Sequence, residues 1–117
     1  MKRAPYRYAD CRVERVVYGD TVDLWINLGF STFVKKRVRL MGIDTPECRT
    51  RNKIEKALGL AAKRELERLL EGGVCDLDSH ELGKYGRVLG TLRIGGRNLN
   101  KLMLKTDGTV EYHGGKR

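Results

Sequence analysis

The sequence predicts a mainly β chain with added helix (α+β): a five-stranded Greek-key barrel, one helix after the third strand and a short helix near the C-terminus. Two observations carry this prediction. Between Thr21 and Leu40 apolar and polar residues alternate, the period of a strand with one buried face. Between Asn52 and Leu69 apolar residues recur every three or four positions, the period of a helix, and strand-like stretches resume after Gly73.

The elements follow in order. "RVERVVYGD" is a strand that ends at a turn, where Gly19 supplies backbone freedom. In "TVDLWINLGF", Val22, Leu24, Ile26 and Leu28 point one way, and Thr21, Asp23, Trp25 and Asn27 the other. After Gly29, "TFVKKRVRLMGI" puts Val34, Val38 and Leu40 inside and Lys35, Arg37 and Arg39 outside, completing a three-strand meander. Ile54, Leu58, Ala61, Ala62, Leu66 and Leu69 then form the apolar stripe of a helix. Asn52 with Glu55 resembles a capping box at its start, and Gly72-Gly73 stops it. "VCDLDS" and "GRVLGTLRIGG" are two further strands around a loop centred on "LGKYG". Asn98 caps a short helix with Leu99, Leu102 and Met103 inward, ending by Gly108. Five short strands with a helix after the third make a barrel of OB type. With 117 residues, 2 prolines and no repeat or linker, a single domain over 1–117 is expected.

Lys and Arg number 24 against 15 Asp and Glu, a net charge of +9. That excess concentrates phosphate around the chain and makes nucleic acid the leading partner class. The 3 cysteines, Cys11, Cys48 and Cys75, are odd in number and far apart, and His80 and His113 are not at ligand spacing to them. A zinc site or disulfide framework is therefore not expected, and reduced buried thiols are. "MKRAPYRYADC" lacks the apolar run of a signal peptide and no stretch is long enough to span a membrane. As it stands the chain is expected to be cytoplasmic, with no membrane partner and no obligate protein partner.

Charged side chains gather at strand ends. Asp20 opens the second strand, and Asp44 and Glu47 follow the third. Barrel closure can bring Asp20 and Asp44 to one rim, where two carboxylates repel unless a cation lies between them. All-oxygen ligation favours Ca2+ or Mg2+ over zinc. Arg39 can reach the same rim, and Arg87 begins the fifth strand. Their planar forks match phosphate oxygens as a lysine cannot. Glu47 is the spare carboxylate, able to orient or deprotonate an attacking water. Together these residues make a phosphodiester site.

At these residues "GDTVDL", "RVRLMGIDTPE" and "KYGR" resemble, in order and spacing, the three signature blocks of the staphylococcal nuclease (thermonuclease) family. The resemblance runs from about Cys11 to Gly108. It implies an OB-fold nuclease dependent on Ca2+, acting on DNA and RNA and leaving 3′-phosphate ends, with single strands preferred. By matching position, Asp20 and Asp44 would ligate calcium, with the Thr45 backbone carbonyl as a further ligand. Glu47 would serve the water, and Arg39 and Arg87 would hold the scissile phosphate. Lys84 and Tyr85 match positions that contact nucleotide phosphates, and Tyr112 would stack on a base. Two departures stand out. The family commonly has an aspartate where this chain has Tyr18, which would weaken calcium binding. Its reference members continue into another C-terminal helix, whereas this chain ends "EYHGGKR".

Blander roles compete. Gly19-Asp20 is a common turn, Asp44 and Thr45 precede a proline, and Arg37 and Arg93 read as solvated sheet charge. "KKR" at Lys35 to Arg37 reads as general attraction for polyanions, and Trp25 as outer-face packing. The alternative class is a non-catalytic OB-fold module that binds single-stranded nucleic acid. Such modules usually lack some of the positions filled here by Asp20, Arg39, Asp44, Glu47 and Arg87, and all five occur in this chain.

Overall fold

The computed structural model describes residues 6–82 and 87–113. Strand β1 spans Tyr6–Tyr18, β2 Thr21–Asn27 and β3 Phe33–Leu40, and these three form the expected antiparallel meander. Helix α1 spans Lys53–Leu69, and β5 (Val74–Leu82) and β6 (Val88–Ile94) form a second hairpin. β5 pairs antiparallel with β1, and β6 pairs parallel with β3 through Val38↔Val88, Arg39↔Leu89 and Leu40↔Gly90. That last pairing closes the sheet into a five-stranded barrel of the predicted OB type. Three two-residue strands complete the fold: β4 (Ile43–Asp44) pairs with β8 (Val110–Glu111), and β7 (Arg97–Asn98) extends the β6 edge just before α2 (Leu99–Met103).

β1 begins at Tyr6, ahead of the Arg12 start that the alternation predicts. From Tyr6 to Asp10 only Tyr8 is partly buried, so no hydrophobic period marks this stretch. The strand serves two partners, and bulges at Tyr8/Cys11, Val13/Arg15 and Val16/Tyr18 bend it from one to the other. The core is filled from every side. Val22, Leu24 and Ile26 come from β2, Val38 and Leu40 from β3, Leu77 and Leu92 from the second hairpin, and Ala62, Leu66, Leu99 and Met103 from the helices. Leu28 lies beyond the end of β2 and is exposed. Cys11 and Cys75 are cross-strand partners, both buried and both free thiols. Burial raises both, Cys75 to about 12, so they stay protonated at neutral pH.

The Asn52 side chain accepts from the N–H groups of Ile54 and Glu55, both at 3.0 Å, and so caps α1. The other half of the box is not made. Asn52 N–H donates to Thr50 Oγ1, and the Glu55 carboxylate accepts from Glu47 N–H at 3.3 Å instead. The helix buries Gly59, Ala62 and Leu66, while Ile54 is 76% exposed and Ala61 is also outside, so the first turn lies off the core. In α2 the Asn98 cap, Leu99 and Met103 behave as expected. Between them Asn100 is buried and fully engaged. It donates to the carbonyls of Met41 (2.8 Å) and Gly90 (3.0 Å) and accepts from Leu92 N–H (3.1 Å), tying the turn after β3 to β6. No helix among the described residues is long and apolar enough to cross a membrane.

Candidate active site

Local sequence puts Asp20 at the rim. Gly19 is buried at the tip of the β1–β2 hairpin, where an added Cβ would lie 2.7 Å from Ala62 Cβ and 3.1 Å from the Thr45 side chain. Only a glycine lets the tip slide under α1, and this brings Asp20 against the chain leaving β3. One Asp20 carboxylate oxygen accepts from Thr45 N–H at 3.2 Å and lies 3.1 Å from Arg39 Nη1; the other accepts from Thr21 Oγ1 at 2.9 Å. The backbone carbonyl of Asp20 accepts from Leu40 N–H at 2.8 Å. The carboxylate is 8% exposed as a residue yet well supplied with donors, which is what allows a charge to remain there.

Arg39 is the centre of the cluster. Its Nη1 also donates to the Ile43 carbonyl at 3.0 Å, and its Nη2 lies 3.5 Å from Asp44 Oδ1. The guanidinium carbon stands 5.6 Å from the ring centroid of Tyr112. Tyr112 is held there by its own N–H, which donates to the Gly42 carbonyl at 2.9 Å, and by the β4–β8 pair that precedes it. Asp20, Arg39, Asp44, Thr45 and Tyr112 therefore meet at one end of the barrel, as the closure argument anticipates for the two aspartates.

Arg87 precedes β6, two residues before Leu89, the register partner of Arg39. Its Nε is fully buried and has no hydrogen-bond partner among the described residues. A buried N–H of a charged group without an acceptor is disfavoured by about 1–3 kcal/mol. Glu47 is exposed in the loop after Pro46, and its carboxylate makes no hydrogen bond among the described residues. Lys84 and Tyr85 lie outside the described residues.

Sequence reasoning missed what fixes the Glu47 loop. Gly59 sits on the buried face of α1, where a Cβ would lie 2.5 Å from the Glu47 carbonyl oxygen and 2.8 Å from Cys48 N. Gly108 is seated against Pro46 in the same way, at 2.7 Å. Gly19 under Thr45, Gly108 against Pro46 and Gly59 under Glu47 hold three successive residues, with Glu55 gripping the Glu47 N–H as a fourth clamp. The signal was present in "ALGLAA", a glycine inside a helical stripe, which reads as a small loss of helix propensity until a backbone is found against it. Tyr18, at the position where an aspartate was anticipated, accepts a hydrogen bond from Arg49 Nη1 at 3.3 Å.

Two carboxylates and nearby backbone carbonyls, all oxygen, form a donor set that fits a hard divalent cation and not a soft one. No group of three or more His, Cys, Asp or Glu at metal spacing occurs among the described residues. A cation here would therefore lean on the Asp20–Asp44 pair and on water.

Residues 37–113 match the family described as staphylococcal nuclease homologue. The chain is 29% identical over 99 residues to the SPbeta prophage-derived endonuclease YokF of Bacillus subtilis (strain 168), a match covering 82% of this chain and 32% of that protein. It is 35% identical over 71 residues to an uncharacterized 38.1 kDa protein of Capnoides sempervirens, covering 61% of this chain and 19% of that one. The chain thus spans a third or less of the length of these curated relatives.

Proposed function

This chain belongs to the staphylococcal nuclease homologue family, and on that premise we propose that it is a Ca2+-dependent nuclease that hydrolyses phosphodiester bonds of DNA and RNA, leaving 3′-phosphate ends. Two observations support the reading: Arg39 is shared between Asp20 and Asp44, and Arg87, just before the strand that pairs with β3, has a buried Nε with no acceptor among the described residues. A phosphate bound by both arginines would supply that acceptor.

The roles follow from the side chains. Asp20, Asp44 and the Thr45 carbonyl hold the cation, which when bound neutralises charge on the phosphate oxygens. Arg39 and Arg87 donate to the non-bridging oxygens, and their hydrogen bonds strengthen as charge builds in the transition state. Glu47 takes a proton from the water whose oxygen bonds to phosphorus. The bond from phosphorus to the 5′-oxygen breaks, that oxygen takes a proton from solvent, and a 3′-phosphate remains. Lys84 and Tyr85 contact neighbouring phosphates, and Tyr112, beside Arg39, offers its ring to a base.

The test is incubation with single-stranded DNA in Ca2+, in Mg2+ and in chelator, followed by end analysis of the fragments. Cleavage in Ca2+, poor cleavage in Mg2+ and none in chelator is the expected result. Binding without fragments under all three conditions would leave the single-strand binding module as the function.

A further inference from the structure

The outer face of the first three strands is laid out as rows that lead away from the rim. By register, Arg39 of β3 lies beside Thr21, Arg37 beside Asp23, and Lys35 beside Trp25. On the far side of β2, β1 places Tyr18, Arg15 and Arg12 against the same three residues. Arg39, Arg37 and Lys35 therefore form a file of cations two residues apart, about 6.6 Å per step along the strand. The file starts inside the candidate active site.

The middle row is fixed. Arg37 Nε lies 2.8 Å from one Asp23 oxygen, Arg37 Nη2 donates to the other at 3.2 Å, and Arg15 Nε approaches that oxygen at 3.3 Å. Hydrogen bonds from Arg37, and then from Arg15, hold the Asp23 carboxyl below its ordinary range, so the ions persist. Two guanidiniums on one carboxylate leave one positive charge over. Among the described residues Arg37 Nη1 is not used. The end row carries an aromatic platform. Trp25 is 38% exposed as a residue, its Nε1–H donates to Glu14 at 2.8 Å, and Lys35 Nζ stands 5.7 Å from its ring centroid. Arg12, its neighbour on β1, lies 5.0 Å over the Phe33 ring.

We propose that this face is a second substrate contact: a single strand runs from the rim along β3, with phosphates on Arg37 and Lys35 and an unpaired base stacked on Trp25. The proposal rests on the nuclease reading for the occupant, which is the strand being cut. Regularly spaced cations beside an oriented indole match the backbone and the bases of one strand. A duplex keeps its bases from the indole, and an anionic membrane offers no unpaired base to stack on it. Lys35, Arg37 and Trp25 thereby acquire a definite role in place of general attraction and packing.

Trp25 is the 1 tryptophan of the chain, so intrinsic fluorescence observes this row alone. In chelator, to prevent cleavage, an oligothymidylate of about ten nucleotides is titrated in across a range of salt. The fluorescence is expected to be quenched on binding, whereas a thymidine bisphosphate, too short to reach from Arg39, leaves it unchanged. Trp25→Ala is expected to weaken oligonucleotide binding roughly tenfold, and Lys35→Gln to lower the salt slope by about 0.7. Cleavage in Ca2+ with an unquenched Trp25 and an unaltered slope would overturn the track and keep the nuclease. Quenching without cleavage would keep the track and reject the nuclease. A response to anionic vesicles but not to the oligonucleotide would overturn it in favour of a membrane surface.

Discussion

At Asp78, on the β5–β6 hairpin, Arg7 and Arg93 grip one buried carboxylate from two other strands: Arg7 Nε at 2.7 Å and Nη2 at 3.2 Å, Arg93 Nε at 2.9 Å. At the rim the ratio is reversed, and one guanidinium, Arg39, stands between the two carboxylates of Asp20 and Asp44. Asp23 has the same two-to-one ratio with Arg15 and Arg37, in the row that belongs to the proposed track. The same residue types thus do two different jobs. At Asp78 the lone pairs are filled by donors from neighbouring strands, and the cluster stitches the barrel. At the rim one guanidinium is divided between two carboxylates, an all-oxygen arrangement compatible with a cation, while Arg87, just before β6, carries a buried N–H with no acceptor among the described residues. The lesson is that leftover hydrogen-bonding capacity, not the presence of ion pairs, separates a functional cluster from a structural one.

That contrast can be broken by mutation. Removing Arg87 should affect chemistry and spare the fold, since it deletes an unmatched buried donor. Arg87→Ala is expected to lower turnover about 10²–10³-fold, the scale of losing one transition-state donor, with a melting temperature no lower than the parent's. A large loss of stability with turnover intact would place Arg87 with the stitching clusters.

Ligands should act on the rim alone. Ca2+ with a nucleotide bisphosphate, at a hundredfold excess over its dissociation constant, is expected to stabilise the fold by about 2.7 kcal/mol. Calcium by itself at sub-millimolar concentration should do little, because Tyr18 stands where a further carboxylate would help and two aspartates make a weak site. Thermal unfolding with and without each component checks this. A large shift from dilute calcium alone would mean that the Tyr18 position is immaterial.

The stitching cluster should respond in the opposite sense. Asp78→Asn is expected to lose roughly 1–3 kcal/mol of stability, as charge-assisted hydrogen bonds vanish, and to leave turnover near the parent value. Hydrogen bonding from Arg7, then from Arg93, holds the folded Asp78 carboxyl below its unfolded value. Its contribution is therefore complete above the usual carboxylate range, near pH 4, and is lost as pH falls below it. Denaturant titrations from pH 7 to pH 2 should show the parent losing stability more steeply than Asp78→Asn. Parallel curves would remove Asp78 from this account.

The sequence conveyed the barrel where hydrophobic period was strong. β2, β3 and α1 follow from alternation and from the Ala62–Leu66 stripe, and the meeting of Asp20 with Asp44 follows from closure. It did not convey the start of β1, where from Tyr6 to Asp10 only Tyr8 is partly buried and Asp10 takes a left-handed conformation. Nor did it convey β4, β7 and β8, since two residues carry no period. Within the site, the residue types were readable but their connections were not. That Arg39 touches both aspartates depends on the path of the chain from Leu40 to Asp44, and Asn100, 59 residues away, fixes that path through Met41. The glycine seats under Thr45, Pro46 and Glu47 are tertiary facts, invisible until α1 and the loop are packed together.

Glu47 provides the most direct test. It is exposed and makes no side-chain hydrogen bond among the described residues, while its backbone is clamped by Gly59 and Glu55. Glu47→Gln should therefore fold as the parent does and keep its nucleotide affinity. Its loss of turnover should be about 10²–10⁴-fold, the range of a general base. Lys36→Ala, at an exposed position of β3 outside the proposed track, is the control and should change cleavage little. The measurement is single-turnover cleavage of single-stranded DNA in Ca2+, with binding followed in parallel. A fall in rate at unchanged affinity for Glu47→Gln is the predicted result; cleavage at the parent rate would make Glu47 a loop residue and contradict the mechanism.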